Sequence, residues 1–251
     1  PYSMWYEFYD FLWMYLQHAI FSTPRKHDIA EVIEWEFQLA DSIFTDPVLR
    51  ECAKADRVYG MLDATNQPLN KSYLEAANKI QLPAARNAIL AKNAELIVLQ
   101  NKPMTFTGLR PSSDVADMSD GEKILRKIIE PYKGKLILMD IWGTWCGPCK
   151  EALSHSQEEY ERLKDFGLVY LYLANNSSDE SWKNVIKMYD ITGDNVVHYN
   201  LPDEQQKAVE QYLNVNAFPT YKLIDREGTI LDADADPRNL EKLARLLERL
   251  K

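Results

Sequence analysis

Cysteine is scarce in this sequence. Three residues in a chain of 251 are too few for a disulfide scaffold, which small secreted domains build from several bridges. Positive charge is also in deficit, with 29 Lys and Arg against 38 Asp and Glu and a formal net charge of −9. A surface of that sign repels phosphate backbones, and no Lys/Arg-rich run offsets it, so nucleic acid is not expected as a partner. A Gly-rich phosphate loop, a paired-His motif and a repeat of constant period are all missing. So is a long uncharged apolar run. The nearest approach, "MWYEFYDFLWMYLQHAIF" at residues 4–21, is broken by Glu7, Asp10, Gln17 and His18, whereas a spanning helix needs about 20 mostly uncharged residues. It also lacks the basic start and small-residue cleavage site of a signal peptide. The chain as given is therefore expected to be soluble, with no transmembrane segment. It opens at Pro1, as a trimmed or mature product does, so a missing export signal says nothing of compartment.

What is present is apolar material, 46% of residues, enough to fill real cores in one large or two ordinary domains. Two patterns divide it. Over residues 1–100 apolar side chains recur at spacings of three and four, as in Ile29, Val32, Ile33, Phe37, Ala40 and Phe44, the period of amphipathic helices. Pro24, Pro47, Pro68 and Pro83 fall at or near the expected helix starts. An all-α domain of five or six helices follows, its aromatic cluster between Trp5 and Tyr15 divided between core packing and contact with the second domain, with a protein-binding or dimer surface as the alternative. Cys52 within it is expected to be a buried, unreactive thiol, since free Cys packs as a small hydrophobe. Residues 101–122 are rich in Pro, Ser, Gly and Asp and read as a linker, with a short strand at 105–109.

From residue 123 to 251 strands alternate with helices. "KLILMDIW" and "LVYLYLA" are continuous apolar runs, the signature of strands buried on both faces. Helices are expected from Cys146 to about Phe166, after a Ser177 or Ser178 cap, after Pro202, and from Pro237. "TYKLID" and "TILDA" flank the turn "REG" as an antiparallel hairpin. The fold class is a helical N-terminal domain followed by an α/β domain.

At the seam of the first strand and helix stands "DIWGTWCGPCK", residues 140–150, with Cys146 and Cys149 three positions apart. A structural zinc needs four ligands, and beyond this pair only Cys52 and the scattered His18, His27, His155 and His198 remain, none at ligand spacing; no metal is expected. A bridge over two intervening residues closes too short a loop to stabilise the fold much. A working redox pair accounts for more of the residues. Gly147 permits a tight entry and Pro148 presets the first helical turn. Unpaired N–H groups there stabilise the Cys146 thiolate, taking its pKa from about 8.5 toward roughly 7 or below. Cys146, at the exposed helix tip, attacks a substrate disulfide, and the more buried Cys149 resolves the mixed disulfide. Asp140 lies six residues before Cys146 at the end of an apolar strand, where burial would suit its carboxyl to exchange a proton with Cys149 through water. Trp145 offers a rim aromatic to a protein substrate, while Trp142 belongs to the core. Lys150 reads equally as a cation favouring the thiolate and as a solvated helix residue, and His155 takes no role. Pro219, directly before a strand, fits an edge or a cis bond. A cis bond would leave the Phe218 N–H and C=O free to pair with an extended substrate strand.

"DIWGTWCGPCK", the later "FPTYKLIDREGTI" and the order of elements between them resemble the thioredoxin fold, most closely its TlpA/ResA-like branch of bacterial thiol-disulfide oxidoreductases, over roughly residues 115–251. The resemblance implies a central mixed sheet flanked by helices, with an insertion after the second strand around residues 175–200. It implies Cys146 as attacking and Cys149 as resolving thiol, a cis Pro219, and Asp140 in the place of the buried acid of thioredoxin. Trp145, Gly147, Pro148, Phe218 and Pro219 would then face the substrate. No cofactor beyond the Cys146–Cys149 disulfide is implied; the partners are protein disulfide substrates and a thiol electron donor, and the location is the periplasm or cell envelope of a Gram-negative bacterium. Asp140 stands where many TlpA-like members carry another residue, and Phe218 replaces a smaller or β-branched one; the Gly-Pro dipeptide and apolar Phe218 lean toward a reductant. An oxidant or isomerase of the same fold, a peroxidase, and a helical adaptor or scaffold with a secondary redox site are the other readings.

Overall fold

The computed structural model describes residues 28–251, so the aromatic stretch 4–21, Pro24, His18 and His27 lie outside the described residues. The described residues separate into two compact units, 28–62 with Pro68–Glu95, and Asp63–Gln67 with Leu96–Lys251.

Among the described residues the region before 102 forms four helices: α1 (Ile29–Ile43), α2 (Pro47–Thr65), α3 (Lys71–Lys79) and α4 (Pro83–Asn101). Pro47 and Pro83 open α2 and α4 at the position where a missing N–H costs nothing. Asn70 caps α3, its side-chain oxygen accepting the Tyr73 amide at 3.1 Å. In the first unit Ile33, Phe37 and Ala40 of α1, Val58 and Leu62 of α2 and Tyr73 and Ala77 of α3 are all buried. Cys52 corrects an expectation: it is exposed, because α2 turns Ala55, Val58 and Leu62 inward and Cys52 lies off that face.

The second unit is built on a six-stranded mixed sheet. Its strands are β1 (Leu109–Arg110), β2 (Ile137–Trp142), β3 (Val169–Ala174), β4 (Val196–Tyr199), β5 (Thr220–Ile224) and β6 (Ile230–Leu231), in the order β1-β4-β3-β2-β5-β6. The first four of that order run parallel, and β5 and β6 are antiparallel to their neighbours. Its helices are α5 (Gly121–Ile129), α6 (Gly147–Leu153), α7 (Ser156–Leu163), α8 (Asp179–Met188), α9 (Asp203–Tyr212) and α10 (Leu240–Glu248).

Every residue of β2 and β3 is buried, as their unbroken apolar runs require. Side chains alternate across the sheet, so two cores form. Leu138 and Trp142 of β2 join Tyr170, Tyr172 and Ala174 of β3 beneath α6, α7, α8 and α10. Ile137, Met139 and Ile141 join Val169, Leu171 and Leu173 against α5 and α9. The same alternation puts Asp140 on the face of Leu138 and Trp142, under the cysteine-bearing helix.

Three element boundaries differ from the sequence reading. The long helix expected over 146–166 is two, because the chain leaves helical geometry at His155 (φ −103°, ψ 5°) and restarts at Ser156. The last helix begins at Leu240 rather than Pro237, since Asp236 folds residues 236–239 into a turn by accepting the Arg238 amide at 2.9 Å and Asn239 then caps α10. Within residues 101–122, Leu109–Arg110 pairs with β4 as the sheet's edge strand, and Val115 is buried. Among the described residues no helix is long and apolar enough to cross a membrane.

Gly121 sits where α5 closes on α9. A Cβ there would stand 2.0 Å from the Ala208 carbonyl oxygen of α9, a backbone atom that cannot swing aside. Gly121→Ala is expected to destabilise the fold by about 2 kcal/mol, an overpacking cost, read as a lowered midpoint in chemical denaturation with no change in the denaturant slope.

Candidate active site

The loop from the end of β2 delivers the chain to the first turn of α6, and Cys146 is the residue that caps it. Cys146 holds an extended conformation (φ −87°, ψ 107°), its sulfur accepts the Cys149 amide at 3.1 Å, and Pro148 follows within the first turn. Cys146 and Cys149 are joined as a disulfide. The sequence reading put Cys146 at an exposed tip. It is instead 4% exposed, and Cys149 1%, because the sulfur turns inward onto a hydrophobic cluster against which Phe218 packs. Gly147 and Pro148 form the exposed surface over the bridge.

Trp145 is 45% exposed. Its indole N–H donates to the Asn175 carbonyl at 3.2 Å, and its ring meets that of Phe218 edge to face at 5.4 Å between centroids. Gly143 makes this possible, since a Cβ there would stand 2.6 Å from the indole nitrogen. The Phe218–Pro219 peptide bond is cis. Trp142 is fully buried. Lys150 is neither solvated nor free: it is buried, and its ammonium donates to the Asp63 carbonyl and carboxylate at 2.9 and 3.0 Å. His155 is exposed and stands 3.9 Å from Glu158.

The stretch after β3, expected to begin an insertion, buttresses the loop. Ser177 Oγ accepts the Thr144 amide at 3.1 Å and donates to the Asn175 carbonyl at 2.8 Å. Ser178 caps α8 by accepting the Ser181 amide at 3.2 Å. No local pattern in "NNSSDESW" signals the buttress, because its partners lie on another strand's exit.

Asp140 is buried opposite Tyr172 of β3 and Tyr221 of β5, and its Oδ1 has no hydrogen-bond partner among the described residues. Burial, reinforced by repulsion from Glu159 and Asp236, holds its carboxyl well above the usual carboxylate range, with Arg238 opposing weakly. Glu159 of α7 lines the same cavity of about 330 Å3, together with Tyr172, Tyr221 and Arg238. Burial first, then Asp236, pushes Glu159 up to about 8. Sequence reasoning missed Glu159; the break at His155 that brings it to this face is a boundary that periodicity did not reveal. His198 is fully buried and stacked on Tyr172 at 4.8 Å between ring centroids. Burial takes its pKa down to about 4, so it is a neutral core residue. Among the described residues no group of three or more His, Cys, Asp or Glu could hold a metal.

A disulfide at a helix N-terminus, beneath a loop ending in a cis proline, on a mixed sheet of this order, coincides with a match of residues 134–230 to the model of a thioredoxin-like family. This part of the chain is a thioredoxin-like domain. Over 140 residues the chain is 29% identical to the thiol-disulfide oxidoreductase ResA of Bacillus thuringiensis subsp. konkukian, covering 56% of this chain and 75% of that relative. ResA of Bacillus subtilis is 28% identical over 134 residues, 53% of this chain and 70% of that protein. Among solved structures, the thioredoxin domain of a thiol-disulfide oxidoreductase from Bacteroides vulgatus has a TM-score of 0.40 at 24% identity, over 49% of this chain and 84% of that one.

The raised Glu159 pKa fixes a pH dependence for the thioredoxin-like domain. Unfolded, the carboxyl releases its proton near 4.5; folded, near 8. The native state therefore holds the extra proton between those values, and stability falls as pH rises across the window. Glu159→Gln should be about 2 kcal/mol or more stabler than the parent at pH 8.5 and equal to it near pH 4, by chemical denaturation of the oxidised protein at both pH values.

Proposed function

We propose that the chain reduces disulfides in protein partners, with Cys146 attacking and Cys149 resolving. The observation that carries this reading is the Cys146 sulfur seated as the cap of α6, accepting the Cys149 amide, where a thiolate gains both the hydrogen bond and the helix N-terminus. Similarity to proteins named thiol-disulfide oxidoreductases supports the same chemistry.

In the reduced protein the Cys146 thiolate attacks one sulfur of a substrate disulfide, forming a mixed disulfide and expelling the first substrate thiolate, which takes a proton. Cys149 then loses its proton and attacks the Cys146 sulfur. The Cys146–Cys149 bridge forms, the second substrate thiolate leaves, and two electrons have passed to the substrate. A buried thiol needs a base for that second step, and Asp140 is the candidate. Burial holds its carboxyl well above the usual carboxylate range, with an unpartnered oxygen, beside a cavity of about 330 Å3 shared with Glu159, Tyr172 and Tyr221, large enough for a bridging water. Trp145 and Phe218 offer adjoining flat rings for an extended segment of substrate, and Gly147 and Pro148 the open surface between. Phe218 and Pro219 would supply backbone groups for strand-like pairing.

No cofactor beyond the bridge is required; a thiol donor restores the dithiol. We place the protein in the periplasm or cell envelope of a Gram-negative bacterium on its resemblance to TlpA/ResA-like proteins.

Direction is read from the equilibrium reduction potential of the pair against glutathione or dithiothreitol, in a Cys52→Ala background because that thiol is exposed. A value near about −270 mV, the thioredoxin end of the scale, is expected; one near about −120 mV would make the protein an oxidant. Cys146→Ser should abolish insulin reduction, Cys149→Ser should accumulate mixed disulfides, and Asp140→Asn should slow turnover about tenfold or more at neutral pH. Partner binding unchanged in the double serine variant, with no reduction by the parent, would favour the adaptor reading.

A further inference from the structure

Residues 63–67, where α2 ends, cluster with the thioredoxin-like unit and not with the helices around them. Asn66 follows the last residue of α2 with φ of 51°, the left-handed conformation that stops a helix and that Asn tolerates second to Gly. Stopping a helix does not require burial, yet Asn66 is 3% exposed. Its side-chain amide donates to the Thr144 carbonyl at 2.9 Å, and its backbone carbonyl accepts the Asn184 side-chain amide at 2.9 Å. Thr144 and Asn184 are themselves buried. On one side of this clasp Asp63 receives the two bonds from the Lys150 ammonium; on the other, Gln67 Nε2 donates to Ser178 Oγ at 2.8 Å. Thr144 stands two residues before Cys146, and Lys150 one residue after Cys149, so the turn grips the cysteine segment from both ends.

The geometry points to Asn66 as a positioning residue of the redox loop and to the 63–67 turn as an integral part of the redox site, setting how readily the Cys146–Cys149 bridge opens. This rests on the reading of that pair as the working site. An anchored loop keeps the two sulfurs at one separation, which raises the effective concentration of one thiol toward the other and favours the bridge. Lys150 stands one helical turn past Cys146, on the same helix face, and Asp63 partly neutralises its charge. Loss of the Asp63 charge would leave Lys150 uncompensated one helical turn from Cys146, which favours the thiolate and so the reduced form. Both losses therefore push the same way.

The test uses the full chain with Cys52→Ala as parent, equilibrated with a glutathione series, and two variants. Asn66→Gly keeps the left-handed helix stop but removes the amide; Asp63→Asn keeps the carbonyl acceptor but removes the charge at an exposed position. In each the equilibrium constant for bridge formation should fall about threefold or more. The pH midpoint of Cys146 alkylation should fall in Asp63→Asn alone. A constant within about twofold of the parent in both variants, with only Tm lowered in Asn66→Gly, would overturn the proposal and leave a merely structural clasp. Should Asn66→Gly fail to fold, the constant of Asp63→Asn decides by the same limits. A parent that forms its bridge normally but exchanges with no protein disulfide sinks the proposed function and leaves these constants to be read.

Discussion

The hydrogen bond from the Cys149 amide to the Cys146 sulfur, 3.1 Å long, ties one end of the disulfide to the first turn of α6, and the surrounding structure serves to hold that turn in place. β2 carries the chain to it from the centre of the sheet, buried along its whole length. A strand packed on both faces cannot shift register without carrying its side chains to the opposite face, so the loop after Trp142 starts from a fixed point. The Asn175 carbonyl and Ser177 hydroxyl then grip Trp145 and Thr144 from the strand beside it.

Charge around the site is arranged by burial more than by pairing. Asp140 lies in a row with Leu138 and Trp142 on an apolar face, its strand neighbours are tyrosines rather than cations, and a second carboxyl, Glu159, lines the same cavity. Two acids that cannot both ionise cheaply in one confined cavity hold protons at a pH where ordinary carboxylates have lost them. That suits proton exchange with a buried thiol, and it costs stability as pH rises. Arg238 is largely engaged by Asp236 and offers the pair little relief.

Much of the second unit could be read directly. "KLILMDIW" and "LVYLYLA" announce buried strands by continuous apolarity, and the Cys-Gly-Pro-Cys spacing announces a helix start, because each signal is carried by residues adjacent in the chain. Boundaries were less legible: the helix break at His155 and the turn at Asp236 depend on hydrogen bonds that no hydrophobic period encodes. Cys52 misled for a related reason, since its exposure turns on which face α2 buries.

The sequence by itself determined the α/β pattern, the location of the cysteine pair and the carboxylate at the end of an apolar strand, since these follow from local periodicity, turn chemistry and residue type. Only the tertiary structure decided that Cys146 is covered, that Lys150 is buried against Asp63, that Glu159 joins Asp140, and that Asn66 clasps the redox loop. Each of these joins residues far apart in the chain except Cys146, whose cover comes from a cluster assembled from several elements. Such contacts exist only once the sheet has closed, and no property of either partner alone foretells them.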